Sequence, residues 1–201
     1  RDFLIASAVT AATVIAPQPG FAQSEKPYGP FKMGLQSYTL RAFEFDKALE
    51  WTQKLGVHYW ESFPKHVPQT ENPEQIRLTI AKLKAAKVRL YSWGVFEFDG
   101  DEAKSRKVFE FAKAYGMKVL SANPTSDSFD ILDKLVAQYK INIAIHNHGP
   151  GSRYDTIEKV QAAIKNHHPG IGACVDTGHY LRSGIDPVDA VNAFGKRVYS
   201  V

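Results

Sequence analysis

A single cysteine in 201 residues excludes an internal disulfide. That residue, Cys174, lies inside an apolar run and reads as a small buried hydrophobe rather than a reactive thiol. Runs of Lys and Arg are also missing. The 25 basic and 21 acidic residues are scattered and leave a net charge of only +4, so nucleic acid is not the default partner. No Gly-x-Gly-x-x-Gly follows the first expected strand, which removes support for a dinucleotide-binding sheet. Outside the N-terminal stretch, no segment is long and apolar enough to cross a bilayer.

What is present is an ordinary globular balance, 44% hydrophobic and 23% charged, in a chain long enough for one domain with a real core. Residues 1–16 pair a charged start with an apolar stretch too short to span a membrane, and Gly20-Phe-Ala22 supplies the small residues a signal peptidase requires. We expect an export signal over 1–22, cleaved after Ala22, and a Pro/Gly-rich linker over 23–31. Arg1-Asp-Phe-Leu is similar to the second half of a twin-arginine signal; a Sec signal is the alternative. Either implies a periplasmic or secreted protein with no stable membrane insertion after cleavage.

From Lys32 onward strand and helix patterns alternate. Strands are expected over 31–38, 57–61, 88–94, 117–122, 141–146, 171–176 and 197–201, and helices over 45–55, 72–86, 101–115, 127–139, 154–166 and 187–194. Asn72 followed by Pro73 is a helix start, and Gly56 and Gly116 are helix stops. Unbroken alternation argues for parallel βαβ units, hence either an open doubly wound sheet or a (β/α)8 TIM barrel. Ligand-type residues recur at several strand ends, which favours the barrel. A full barrel needs about 250 residues, so we expect this one to be truncated after its seventh strand.

Two segments carry the chemistry: Ile141-Asn-Ile-Ala-Ile-His-Asn-His-Gly149 and Gly172-Ala-Cys-Val-Asp-Thr-Gly-His179. In each, a short buried-strand pattern ends abruptly in imidazole or carboxylate, a donor set suited to a divalent metal. His146 and His148 are two apart and share a face if the strand continues, with Asn147 pointing away. Asp176 also fits a turn or helix N-cap. Glu61 ends the second strand, where an unpaired buried carboxylate is costly without a purpose. Gln36, His66 and Trp93 are further rim candidates, as a hydroxyl partner, a loop imidazole and an apolar wall. His58, His167 and His168 sit near helix or loop boundaries and read as solvent-exposed.

Gly34-Leu-Gln-Ser-Tyr-Thr-Leu40, Tyr59-Trp-Glu-Ser-Phe-Pro-Lys-His66, Ala144-Ile-His-Asn-His-Gly149 and Cys174-Val-Asp-Thr-Gly-His179 together resemble the xylose isomerase-like TIM barrels. That superfamily includes sugar-phosphate isomerases and epimerases, inosose dehydratases and endonuclease IV. The resemblance covers 32–201. It implies one divalent ion (Mn, Mg, Co or Zn) held at the ends of strands five to eight by Glu, Asp, His and Glu. Asp176 matches the Asp, and His179 matches a nearby His that touches substrate. His146 stands where the first Glu belongs, a departure from the pattern. The remaining His and Glu would follow Val201.

The implied activity is metal-dependent sugar isomerisation or epimerisation by proton transfer beside a carbonyl, through an enediolate. Metal falls to Asp176 and His146, proton transfer to Glu61 and His148, and substrate contacts to His179, Gln36, His66 and Trp93. Because His146 replaces one of the paired Glu residues, a dehydratase or keto-glycoside lyase is the alternative, and an inactive sugar-binding paralogue is a third reading. Endonuclease-type DNA repair needs His at the ends of early strands, and Tyr91-Ser-Trp-Gly94 offers none. With no Gly-rich phosphate loop or Arg cluster, the expected substrate is a small free sugar, polyol or glycoside. A homo-oligomer stays open.

Overall fold

The computed structural model describes residues 28–201. The expected export signal therefore lies outside the described residues, as does most of the linker; residues 28–31 form a turn. Lys32–Val201 is one compact unit.

Its elements alternate as β1 (Gly34–Gln36), α1 (Phe45–Lys54), β2 (Tyr59–Ser62), α2 (Pro73–Ala85), β3 (Arg89–Phe96), α3 (Glu102–Tyr115) and β4 (Val119–Ala122), followed by α4 (Phe129–Tyr139), β5 (Asn142–His146), α5 (Ile157–Ile164), β6 (Ile171–Cys174), α6 (Thr177–Arg182), α7 (Pro187–Phe194) and β7 (Val198–Ser200). Every strand pairs in parallel with its sequence neighbours, in the order β1 to β7. A doubly wound sheet reverses strand order at a switch point. Here the order never reverses, so right-handed crossovers place all helices on one face and the sheet curls. The described residues form seven strands of a (β/α)8 barrel.

Local chemistry explains the boundaries. Asn72 Oδ1 accepts from the backbone N–H groups of Glu74 and Gln75, with Pro73 opening α2. Asp101, Thr156 and Asp186 cap α3, α5 and α7 in the same way. Gly116 ends α3 at φ 70, a left-handed conformation that costs glycine nothing. Several expected spans shorten or shift. The 31–38 strand is only Gly34–Gln36, because Ser37–Leu40 tightens into a 3-10 turn. The 154–166 helix starts at Ile157, where the Thr156 cap sets it. The Asp-Thr-Gly-His segment, expected as a turn, begins α6.

Side chains alternate between two layers. Trp60, Leu120, Ile143, Ile145 and Ile171 face outward and pack fully buried beneath the helices. Each such burial contributes about 1.5–3 kcal/mol. The Trp60 indole N–H donates to Thr52 Oγ1 of α1 at 2.8 Å, which satisfies its one polar atom. Val119, Ala144 and Cys174 face the other way and pack with Tyr91 and Tyr199 inside the barrel. Among the described residues, no helix is long and apolar enough to cross a membrane.

Candidate active site at the strand ends

Parallel pairing brings the C-terminal ends of the strands to one rim, and strand register decides which side chains meet there. Gln36, Glu61 and Ser92 are direct partners across β1, β2 and β3. Accordingly, Gln36 Nε2 donates to Glu61 Oε1 at 3.3 Å and Ser92 Oγ donates to Oε2 at 2.7 Å. The Gln36 carbonyl oxygen in turn accepts from the Tyr38 backbone N–H, which fixes the amide. Glu61 is half-buried. Desolvation lifts its pKa above the usual carboxylate value, against the lowering effect of its hydrogen bonds, and the charge of Asp176 pushes the same way as desolvation.

Across the barrel, His146 pairs in register with Cys174. The Cys174 sulfur lies 3.6 Å from His146 Nδ1, and burial pushes the thiol up to about 12, so it remains protonated. His146 Nε2 faces Asp176 Oδ2 at 3.9 Å. His148 and His179 complete the group, with ring centroids 4.6 Å (146–148), 5.0 Å (148–179) and 5.9 Å (146–179) apart. One nitrogen from each of the three rings lies within 4.8 Å of the others. Desolvation, then the neighbouring His148, lowers the His146 pKa to about 4; desolvation and His179 lower that of His148. Both rings are therefore neutral near pH 7, the state in which imidazole ligates metal.

Asp176 serves two neighbours at once. Its Oδ1 accepts from the His179 backbone N–H at 2.8 Å and caps α6, while Oδ2 faces His146. The helix N-cap reading of this residue therefore holds, and its second carboxylate oxygen is left facing the imidazoles. Among the described residues the three imidazoles are the grouped metal-type donors here, with the Asp176 carboxylate facing His146 beside them, a nitrogen and oxygen set whose chemistry suits a divalent cation.

His66 and Trp93 are not brought into this cluster. His66 is 4% exposed, stacks on Trp60 and places Nε2 3.0 Å from the Phe43 carbonyl. Trp93 donates its indole N–H to the Val67 carbonyl at 2.9 Å and packs on Phe111 of α3. The cause is a register shift between β2 and β3: Trp60 pairs with Leu90 but Glu61 pairs with Ser92. The extra residue, Tyr91, reverses the phase, turning Ser92 inward and Trp93 out toward the helices. His167 and His168 also depart from their expected exposure. Asp133 of α4 accepts from the His168 backbone N–H at 2.7 Å and lies 2.9 Å from His167 Nδ1, clasping the segment after α5. Asp130 joins them as a second group of metal-type side chains, with both Asp133 oxygens already engaged.

Two side chains that support the rim were not among the candidate site residues. Asn147 is fully buried, and its amide bonds both backbone groups of Asp176. Ser92 gave no motif signal; only the bulge reveals it.

No protein-family model matches the chain, and no curated protein sequence matches it. Solved structures do. A putative uncharacterized protein from Parabacteroides distasonis is 28% identical, with a TM-score of 0.71 over 84% of this chain and 72% of that one. The probable 3-DHS dehydratase AsbF of petrobactin synthesis from Bacillus anthracis is 15% identical, with a TM-score of 0.65 over 84% and 71%. The 3-keto-D-glucoside 4-epimerase YcjR from E. coli is 13% identical, with a TM-score of 0.65 over 84% and 76%. These similarities agree with the strand order: the chain shares the TIM-barrel fold of the xylose isomerase-like proteins.

Proposed function

We propose that this barrel is a metal-dependent sugar isomerase or epimerase that moves a proton next to a carbonyl of a small sugar or polyol. The observation that carries the reading is Glu61: a carboxylate held by two side-chain donors, with a raised pKa, sharing the rim with Asp176 and three imidazoles. A base whose pKa is shifted toward neutrality is suited to taking a proton from carbon and returning it. Gln36 and Ser92 keep the carboxylate aimed in both protonation states. His148, half-buried and neutral, supplies the second proton carrier, and His179 a contact to a substrate oxygen. A divalent ion held by His146 and Asp176 supplies Lewis acidity that polarises the substrate carbonyl and acidifies the adjacent C–H. Among the structural neighbours are an epimerase acting on a 3-keto-glucoside and a probable dehydratase, chemistries that share abstraction of a proton beside a carbonyl.

The composition of the cluster favours a second reading. His146 stands where the family pattern has the first of its paired Glu residues, and such a pair would serve epimerisation on both faces of a carbon. One base and one imidazole acid suffice for β-elimination, so a dehydratase or keto-glycoside lyase is the alternative. We also propose export, with the mature protein beginning near residue 23; N-terminal sequencing of material from the periplasm or medium tests this.

The experiment is metal analysis of the full-length protein beside Asp176→Ala and His146→Ala, followed by incubation with keto-sugars, polyols and keto-glycosides in D2O. The expected results are about one divalent ion per chain, its loss in both variants, and deuterium incorporation beside the carbonyl of one substrate class. Retention of the carbon skeleton marks isomerisation or epimerisation, and loss of water or an alcohol marks the lyase. Absence of both metal and exchange sinks the enzyme reading and leaves a sugar-binding barrel.

A further inference from the structure

His179 and His146 stand in one cluster, but their Nδ1 atoms meet different partners. His146 Nδ1 meets the Cys174 thiol, and its Nε2 points at Asp176. His179 Nδ1 lies 3.3 Å from Nη1 of Arg182. A guanidinium carries donors on every nitrogen, has no acceptor and does not deprotonate. The imidazole nitrogen must therefore be the acceptor, which leaves the proton of the neutral ring on Nε2.

We propose that Arg182 is a positioning residue that fixes His179 in its Nε2–H tautomer, making the ring a hydrogen-bond donor to a substrate oxygen and withholding it from the metal. In that tautomer Nε2 has no lone pair to give, and the lone pair on Nδ1 is taken by Arg182. The three-imidazole cluster thereby divides into a ligand, His146, and a donor, His179.

Two features place the guanidinium. Arg182 follows His179 by three residues on α6, so the two side chains share one face of the helix. Gly149, in the segment after β5, gives it room: a Cβ there would lie 3.2 Å from Cζ and 3.3 Å from Nη2 of Arg182. A Cβ at that spacing would press the guanidinium back by a few tenths of an ångström, so Gly149 leaves open the space the guanidinium occupies.

The assignment of the proton rests on geometry; only the donor's target, a sugar oxygen, rests on the proposed function. The test is nitrogen-15 NMR of the histidine rings in the metal-free protein at a pH where they are neutral, with parallel Zn2+ titration. Wild type should show His179 with its proton on Nε2. Arg182→Ala should release the ring to the Nδ1–H form or to a mixture, and should tighten Zn2+ binding roughly tenfold as a further nitrogen becomes available. Arg182→Lys, which still donates, should preserve the wild-type tautomer and affinity. A proton on Nδ1 in wild type, or an unchanged tautomer in Arg182→Ala, overturns the proposal; so does unchanged Zn2+ affinity once the tautomer has shifted. Failure of wild type to hold any metal counts against the proposed function and leaves the ring spectra to decide the role of Arg182.

Discussion

The Asn147 side-chain amide closes two hydrogen bonds on the backbone of Asp176, accepting from its N–H at 2.7 Å and donating to its carbonyl at 3.0 Å. This clasp ties the residue after β5 to the second residue past β6. Asn147→Ala leaves the Asp176 backbone N–H without its partner, while the carbonyl keeps the Tyr180 N–H at 3.1 Å, and should cost about 1–3 kcal/mol. Urea unfolding measures that loss, and a weaker Mn2+ affinity in the folded variant would show that the clasp also aims the carboxylate.

His146 should make the metal-free protein acid-sensitive. Its folded pKa of about 4 lies below the ordinary 6.5, so the unfolded chain takes up the proton first. Stability is then level above about pH 6.5, falls as pH drops toward 4, and is level again below that. With a side chain only 14% exposed, the full span is about 3 kcal/mol. His146→Asn should flatten this slope. An NMR midpoint near 6.5 for the His146 ring would refute the argument.

Glu61 has the opposite relation to pH. Its raised pKa means that stability declines as pH rises from the unfolded value through the folded one. Glu61→Gln keeps the shape and the Ser92 contact but carries no charge. The variant should unfold at higher urea than wild type at pH 8, with the difference vanishing below about pH 4.5. Its proton-exchange activity should fall by roughly 10²–10⁴. A variant less stable than wild type at pH 8 would mean the charged carboxylate is a net stabiliser.

Gly172 is fixed by crowding. A Cβ there would collide with the Arg197 carbonyl oxygen and lie 2.7 Å from the Tyr199 ring. Gly172→Ala should therefore separate β6 from β7 and cost on the order of 4 kcal/mol or more, measurable as a large drop in thermal midpoint.

The alternating architecture was legible because its signals are local: the Asn72-Pro73 helix start, the Gly116 stop and the apolar runs at 141–145 and 171–175. The strand-end position of His146 followed from the first of these runs, whereas the strand expected to reach Asp176 stops at Cys174 and Asp176 caps α6 instead. Contacts set by register were not legible. No rule of alternation predicts that Tyr91 bulges and turns Trp93 away from the rim. Likewise, no spacing shows that His66 is spent on the Phe43 carbonyl. Asn147 was placed on the correct side, pointing away from the two imidazoles, yet its partner is 29 residues distant and visible only in three dimensions. The 3-10 turn after Gln36 and the start of α6 were missed because Ser, Asp, Thr and Gly favour turns as readily as helix starts.

The unreversed order of the strands also bears on how binding relates to folding. A substrate that touches Glu61 and Asp176 together joins residues contributed by the second and sixth strands, with three complete strand–helix repeats threaded between them. A fragment lacking β3, β4 or β5 would not hold the two groups in this arrangement. Opening any of β3, β4 or β5 releases the ligand, so its binding free energy is added to the cost of opening each of them. Amide exchange should therefore slow on substrate binding across the intervening strands, including amides that never approach the ligand.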